Sequence, residues 1–451
     1  MGTVTESQNM SFRETQLAEE KPAQCQRELE KKYFEVRQAT QDLGSPLEIE
    51  DYAIQSMPDA SPTKWHFGHT TWFFHVFVLE NQTKIDFAPF HPQFKILFNS
   101  YYETVGEKHP RSRRGLLSRP TINEIQDYRR HVDKAMQRLF VSSDLSAKLL
   151  SLIEVGIHHE QQHQELILTD IKHVFASNPL LPSYLPASLA TDANTQKKTQ
   201  QKTTDPLEPL SWTAHDGGVV QLGHSSSDFS FDNESPRHQV LLTPYRIANR
   251  LVTCGEFLEF INDGGYRSPT LWLSDGWASV QREGWEAPAY WRQDNGNWQL
   301  YSLQGAREID LNEPVSHVSY FEADAYARWS GHRLPVEAEW ETAANGIPIE
   351  GNFMESHAFH PVRSGASTTD PKQFFGDLWE WTASQYTAYP MYTAPEGALG
   401  EYNGKFMCNQ FVLRGGSCAT PISHIRKTYR NFFPPQARWQ FSGIRLAHDA
   451  S

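Results

Sequence analysis

His159 and His163 stand four residues apart in a run from about Asp144 to Val174 that holds no proline, one glycine and a helical apolar period. Leu149, Leu152, Gly156, His159, His163, Leu166 and Asp170 step by three or four, so they share one helix face. Two imidazoles one turn apart can grip a single metal ion from one helix. The competing interpretation is a pair of satisfied core or surface histidines with no ion between them. A second helix signal opens at Ser61-Pro62, an N-cap followed by proline at the first helical position. Trp65, His69, Trp72, Phe73 and Val76 share its stripe, which makes His69 a third histidine aimed at a core. His66 and His75 fall off that stripe and read as surface residues or supports for the ligands.

The elements that must position these histidines follow from the rest of the chain. Residues 1–22 are polar and read as loose, and a charged pattern with leucines and aromatics predicts a first helix from about Ala23 to Leu43. A non-periodic connection runs from Asp86 to Arg119, past Tyr101-Tyr102 and a basic knot of Arg111, Arg113 and Arg114. Loops of that length in a compact domain are usually functional. Thr121-x-x-Glu124 is a capping box opening a third helix to about Val141. Ser143-Asp144 opens the fourth, which carries the histidine pair. Four helices with long crossovers and inward histidines describe a bundle with a metal in its core. Residues 188–210 are polar and read as a linker. Beyond them short strand-like runs, among them 217–223 and 238–242, alternate with two amphipathic helices, Cys254–Asn262 and Phe321–Ser330. The expected organisation is a helical domain over 23–187, the linker, and an α+β domain over 211–449.

Composition narrows the function classes. The formal charge of −13 argues against general nucleic-acid binding, which needs a broad basic face. Cys25, Cys254, Cys408 and Cys418 are scattered, with no C-x-x-C pair and no small secreted framework. No run approaches a membrane span and the start lacks a secretory pattern, so the expectation is a protein of the reducing cytoplasm that meets no membrane. The oligomeric state is not fixed by these features. His159-Glu160-x-x-His163 also matches the H-E-x-x-H of zinc proteases, where the glutamate is a general base. Glu160 has two other readings, a solvated helix residue or a partner that orients an imidazole. The best third ligand, His69, lies far upstream, whereas proteases of that type usually take theirs downstream.

The second half carries ordered motifs. Asn312-Glu-Pro-Val-Ser-His-Val-Ser319 precedes Arg333-Leu-Pro-Val-Glu-Ala-Glu-Trp-Glu341. Phe375-Gly-Asp-Leu-Trp-Glu-Trp-Thr382 and Val412-Leu-Arg-Gly-Gly-Ser417 follow, and the chain closes on Phe441-Ser-Gly-Ile-Arg-Leu-Ala447. This series resembles the formylglycine-generating-enzyme (sulfatase-modifying factor) fold, a variant of the C-type lectin fold. Most of these residues equally suit a purely structural part, with Trp and Gly at turns and Arg and Glu in buried pairs. Formylglycine generation depends in that family on two cysteines a few residues after Gly-Gly-Ser. Here a single one, Cys418, follows the serine directly, so the resemblance implies the scaffold without that chemistry.

Ser61-Pro-Thr-Lys-Trp-His-Phe-Gly-His-Thr-Thr-Trp-Phe-Phe74 resembles the second-helix signature of the DinB-like metal-binding bundle. The fold class implied is multidomain, α then α+β: a DinB-like four-helix bundle followed by a C-type-lectin-like domain. That pairing is similar to the sulfoxide synthases of ergothioneine biosynthesis (the EgtB type), from about residue 30 onward. The resemblance implies Fe(II) held by His69, His159 and His163, with O2, hercynine and a thiol as co-substrates. It further implies that Gln162 and Asn431 bind hercynine between the domains. Phe432 and Phe433 are candidate neighbours for its quaternary ammonium, or plain core packing.

Relatives that use γ-glutamylcysteine carry an acidic residue two positions after the asparagine, where this chain has Phe433, and take their catalytic tyrosine from the C-terminal domain. Tyr386, Tyr389 and Tyr392 lie in that region, and none matches that position securely. The Tyr101-Tyr102 pair instead resembles the subgroup that uses free cysteine. The implied roles are Tyr102 as the catalytic phenol with Tyr101 assisting, and Arg111, Arg113 or Arg114 as a clamp on the amino-acid carboxylate, unless these arginines form only a solvated basic loop. Alternatives are γ-glutamylcysteine as donor, histidine as acceptor in an ovothiol-type reaction, or a non-catalytic ligand-binding module.

Overall fold

A computed structural model describes residues 6–80, 82–142, 145–185, 209–364 and 371–450, with side chains from residue 24 onward. Its contacts divide the chain into two units, Met1–Ile167 and Leu168–Ser451. The first unit holds α1 (Glu6–Gly44), α2 (Thr63–Phe73), a one-turn α3 (Phe94–Leu97) and α4 (Ile122–Val141). It also holds most of α5 (Ala147–Ala176), whose last turns count with the second unit.

Leu29, Tyr33, Val36, Arg37, Thr40 and Leu43 of α1 are buried at spacings of three and four, as are Ile125, Tyr128, Val132, Met136 and Leu139 of α4. Such stripes are what a bundle core requires. The α1 backbone is helical from Glu6, where a loose segment is expected from the sequence; the four glutamates and two glutamines among residues 6–22 favour helix. Thr121 caps α4 through the expected box with Glu124. The expected start of α5 at Ser143-Asp144 and nearly all of the linker 188–210 lie outside the described residues.

Every residue of α2 is buried, so this helix is the axis of the unit. It begins at Thr63 with Pro62 in the cap position, one residue later than the Ser61 signal, and the Ser61 hydroxyl accepts a bond from Arg114 (2.9 Å). It runs on as a π-helical stretch over Phe74–Leu79, a widened turn frequent beside functional sites. A Cβ on Gly156 of α5 would meet the rings of Phe74 and Phe73 at 2.6 and 2.9 Å. Glycine there lets α5 approach α2 closely enough for their histidines to meet. The long connection is not featureless: besides α3 it forms short 3-10 turns at Glu103–Val105 and Arg111–Leu116.

The second unit is α+β. β1 (Trp212–His215) and β12 (Ala447–Asp449) flank β4 (Tyr245–Ala248). β2 (Gly218–Leu222) and β3 (His238–Leu242) form an antiparallel ribbon at the positions expected from the sequence. β5 (Trp291–Asp294), β6 (Asn297–Ser302) and β7 (Gly305–Glu308) form a meander. The central sheet has the order β10 (Asn431–Phe433), β9 (Phe411–Arg414), β8 (Trp379–Gln385) and β11 (Ser442–Gly443). Helices α6 (Cys254–Asn262), α7 (Ser274–Glu283), α8 (Tyr320–Trp329) and α9 (Glu337–Ala343) complete it.

The sequence motifs of this half supply its buried charge pairs. Arg445 grips Glu380 at 2.7 and 2.8 Å, Arg430 grips Glu337 at 3.0 and 3.1 Å, and Arg414 reaches Glu341 at 3.0 Å. Gly415 and Gly416 have φ of 100° and 82°, a backbone that side chains rarely adopt, as the Arg-Gly-Gly-Ser turn requires. Among the described residues no helix is long and apolar enough to cross a membrane.

Candidate metal centre

Helix α2 delivers His69 and α5 delivers His159 and His163, and one ligand nitrogen from each lies within 4.8 Å of the others. The Nε2 atoms of His69 and His159 are 3.1 Å apart. Two metal–nitrogen bonds of about 2.1 Å meeting at a right angle would put their nitrogens roughly 3.0 Å apart. The spacing therefore fits adjacent ligands on one ion.

The far nitrogens hold the rings in that pose. His69 Nδ1 donates to the Phe98 carbonyl at 2.6 Å, and His163 Nδ1 lies 2.8 Å from His66 Nδ1. Fixing Nδ1 leaves Nε2 of each ring to face the cluster, the usual arrangement around metal-bound histidines. His66 is thus a buried support for a ligand, one of the two roles open to it. His75 is buried elsewhere, 2.8 Å from the Tyr128 hydroxyl, and takes no part in the cluster.

His69 is also stacked between two indoles, Trp65 at 4.5 Å and Trp72 at 5.6 Å, with interplanar angles of 14° and 19°. The indole N–H of Trp65 donates to the Leu97 carbonyl and that of Trp72 to the Lys95 carbonyl. Three rings of α2 therefore dock on carbonyls of α3 and its C-cap, which fixes His69 before any ion arrives.

Burial holds all three imidazoles in the neutral, ligating form. It pushes His159 down to about 3. Burial and the neighbouring His159 hold His69 well below the usual histidine range, and the same causes together with His69 do so for His163. The Arg114 guanidinium adds to the effect on His69 and His163.

Glu160, between the two α5 ligands, is turned into a different network. Its carboxylate meets Arg37 and Arg129 at 3.0 Å each, all three side chains being buried. Burial pushes the carboxyl up, but the two guanidinium groups outweigh it and hold it below its ordinary range. A carboxylate so paired is no general base for a metal-bound water, which removes the protease alternative.

The other residues singled out by sequence divide between the units. Gln162 is half-buried on α5. Tyr102 is fully buried, its ring 4.6 Å from Tyr101, 5.6 Å from Trp72 and 5.1 Å from Phe77. Arg114 is buried with its guanidinium 3.2 Å from the Trp65 ring centre, and it also donates to Ser100. Arg111 is exposed and donates to the Asp59 carbonyl, and Arg113 is exposed. In the second unit Asn431, Phe432 and Phe433 form the edge strand β10. Phe432 stacks on Tyr386 at 4.0 Å, and Phe433 meets Trp439 edge-on. The phenols of Tyr386, Tyr389 and Tyr392 are engaged by Asn233, Arg414 and Asp232.

Sequence reasoning missed the clamp on Glu160 and the indole bracket around His69. The signals were present: Arg37 and Arg129 interrupt apolar stripes, and Trp65 and Trp72 flank His69 at i−4 and i+3.

Comparison with known proteins agrees with this division. Residues 33–167 match the DinB superfamily, and residues 195–369 and 354–450 match the sulfatase-modifying factor enzyme 1-like domain. The hercynine oxygenase of Mycolicibacterium smegmatis is 34% identical over 319 residues, covering 65% of this chain and 70% of that protein. The hercynine oxygenase of Mycobacterium tuberculosis is 36% identical over 253 residues, covering 51% of this chain and 59% of that protein. Among solved structures, PvdO from Pseudomonas aeruginosa is 20% identical and covers 53% of this chain and 94% of its own, with a TM-score of 0.35.

Proposed function

Since the chain belongs to the hercynine oxygenase family, the EgtB-type sulfoxide synthases with a DinB-like bundle and a sulfatase-modifying-factor domain, we propose that it joins cysteine sulfur to the imidazole C2 of hercynine and yields hercynyl-cysteine sulfoxide. The observation that carries this proposal is the set of three buried, neutral imidazoles converging from α2 and α5. Such a donor set suits Fe(II), which when bound supplies O2 activation and a gathering point for two substrates.

The chain's own residues supply binding, orientation and protons. Gln162 and Asn431 hold the hercynine imidazole, and Phe432 and Phe433 offer aromatic faces to its trimethylammonium. Arg114, with Arg111, receives the amino-acid carboxylate, for which a guanidinium fork is the natural partner. Tyr102 donates a proton from its hydroxyl during sulfoxide formation, with Tyr101 assisting. Holding both reactants beside one centre is the proximity effect that lowers the barrier. The choice of free cysteine rests on Phe433 standing where an acidic residue would serve γ-glutamylcysteine, and on Tyr101-Tyr102 in the bundle domain.

Aerobic turnover of Fe(II)-loaded protein with hercynine and either thiol, read by product mass, tests this. Hercynyl-cysteine sulfoxide from free cysteine is the expected product. Product from γ-glutamylcysteine alone overturns the donor assignment. Coupling to histidine in place of hercynine moves the enzyme to the ovothiol-type reaction, and no coupled product at all leaves a binding module.

A further inference from the structure

The rings around His69 form one continuous series. Trp72 lies 5.6 Å from His69, Tyr102 lies 5.6 Å from Trp72, and Tyr101 lies 4.6 Å from Tyr102. Trp72 and Tyr102 are fully buried, while Tyr101 is half-buried. Indole and phenol are the side chains most easily oxidised by one electron without bond cleavage, and ring contacts this short permit rapid exchange between them. On the opposite side of His69 the series stops. Trp65 carries the Arg114 guanidinium 3.2 Å from its ring centre, and a fixed cation so close opposes the positive charge of an indole radical. Trp72 faces no such cation among the described residues.

We propose that Trp72, Tyr102 and Tyr101 form an electron-supply line that protects the metal centre from unproductive oxidation. The inference rests on the metal-loaded reading of the three histidines. Hydrogen peroxide takes up two electrons and two protons to become water; an Fe(II) held by the three histidines would supply one of those electrons, so with no thiol in place one oxidising equivalent would be left beside His69. Trp72 gives one electron to it and becomes a radical cation. Tyr102 refills Trp72, Tyr101 refills Tyr102, and the one phenolic proton lost in sum leaves from half-exposed Tyr101. The net change is one electron gained at the metal site and one hydrogen atom lost from Tyr101. A thiol from solvent, RSH, returns that hydrogen atom and departs as a thiyl radical. Without this line the oxidant would attack its nearest neighbours, His69 and Trp65. The aromatic bracket that fixes His69 thus has a second use, and Arg114 gives it a direction.

The test is freeze-quenched electron paramagnetic resonance of the Fe(II)-loaded full chain mixed with hydrogen peroxide in the absence of thiol. The wild-type protein should show a tyrosyl radical that added cysteine removes. Trp72→Phe should lose that signal and accumulate oxygen additions on His69 and Trp65 in peptide mass maps. Tyr102→Phe should show an indole radical in place of the tyrosyl one, which decides the matter if the Trp72 variant does not fold. Trp65→Phe should keep the tyrosyl yield. Absence of any protein radical in the wild type, or an unchanged tyrosyl yield in Trp72→Phe, overturns the proposal. Sulfoxide product measured on the same preparations keeps the two readings apart. Product without a radical sinks the supply line alone, and a radical without product sinks the proposed synthase reaction alone.

Discussion

In the second unit the buried arginines of the central motifs close on carboxylates: Arg445 on Glu380, Arg430 on Glu337, and Arg414 on Glu337 and Glu341. In the first unit the same closure occurs once on α5, at Glu160 between Arg37 and Arg129. One turn along the same helix His163 does the reverse, joining His69 and His159 in a cluster that contains no anion. Buried Arg–Glu pairs contribute geometry and leave no valence over, whereas buried neutral imidazoles keep a lone pair that only a cation or proton can use. Burial of polar groups thus marks a scaffold where the charges cancel and a site where they do not.

The comparison can be broken most directly at the ligands. His159→Ala or His69→Ala should abolish metal retention and reduce turnover by more than about a hundredfold, the upper figure for mere supporting residues. Metal analysis and single-turnover assays read both. Full metal occupancy in either variant would undo the distinction between the regions.

Removing one partner of a closed pair should act on stability instead. Glu160→Ala and Glu380→Ala each strand buried guanidinium groups and should cost about 3–5 kcal/mol in denaturant unfolding. Equal costs in the two units would sharpen the comparison. A Glu160 variant that stays fully stable but no longer retains metal would assign Glu160 to the site after all.

A smaller effect is expected at His66, which touches the site through His163. His66→Ala should weaken metal binding by about 10–100-fold with little change in unfolding. Recovery of affinity in His66→Gln, which can restore a bond to Nδ1, would separate ring orientation from bulk packing.

The smallest effect concerns Lys172, a buried cation of the second unit that has no acidic partner at hydrogen-bond distance among the described residues. Its amine lies 2.6 Å from His317 Nε2, over the rings of Tyr290 and Phe441, and burial pulls it down to about 7. Cys418, Arg307 and Glu313 also act on it electrostatically. Between about pH 7 and the ordinary lysine value near 10.5 the unfolded chain binds the extra proton, so stability rises with pH through that window. Lys172→Met should therefore stabilise the protein at pH 7 by on the order of 1 kcal/mol, net of the bond lost by His317. The gain should fade towards pH 10.5. A gain independent of pH, in thermal unfolding across that range, would show that Lys172 does not titrate there.

Both units were legible wherever local rules decide the outcome. The Thr121–Glu124 box, the α5 period and the Cys254–Asn262 helix occur where their patterns predict. The Ser61 hydroxyl is met by Arg114, remote in sequence, and no local rule contains that partner. Phe432 posed a similar problem: its type suits a cation or a core, and its contact with Tyr386 is a matter of tertiary neighbours.

The three clustered histidines can be picked out in the sequence, because helical spacing determines which side chains share a face; that the two helices bring them together is a tertiary result. So are the roles of their neighbours. His66 and His69 are one helical turn apart on the same helix, yet one holds the far nitrogen of His163 and the other joins the histidine cluster itself. Glu160 is next to His159 in sequence and turned away from the cluster in space. Those outcomes depend on which groups the other helices bring within 3 Å, and that is decided only when the bundle closes.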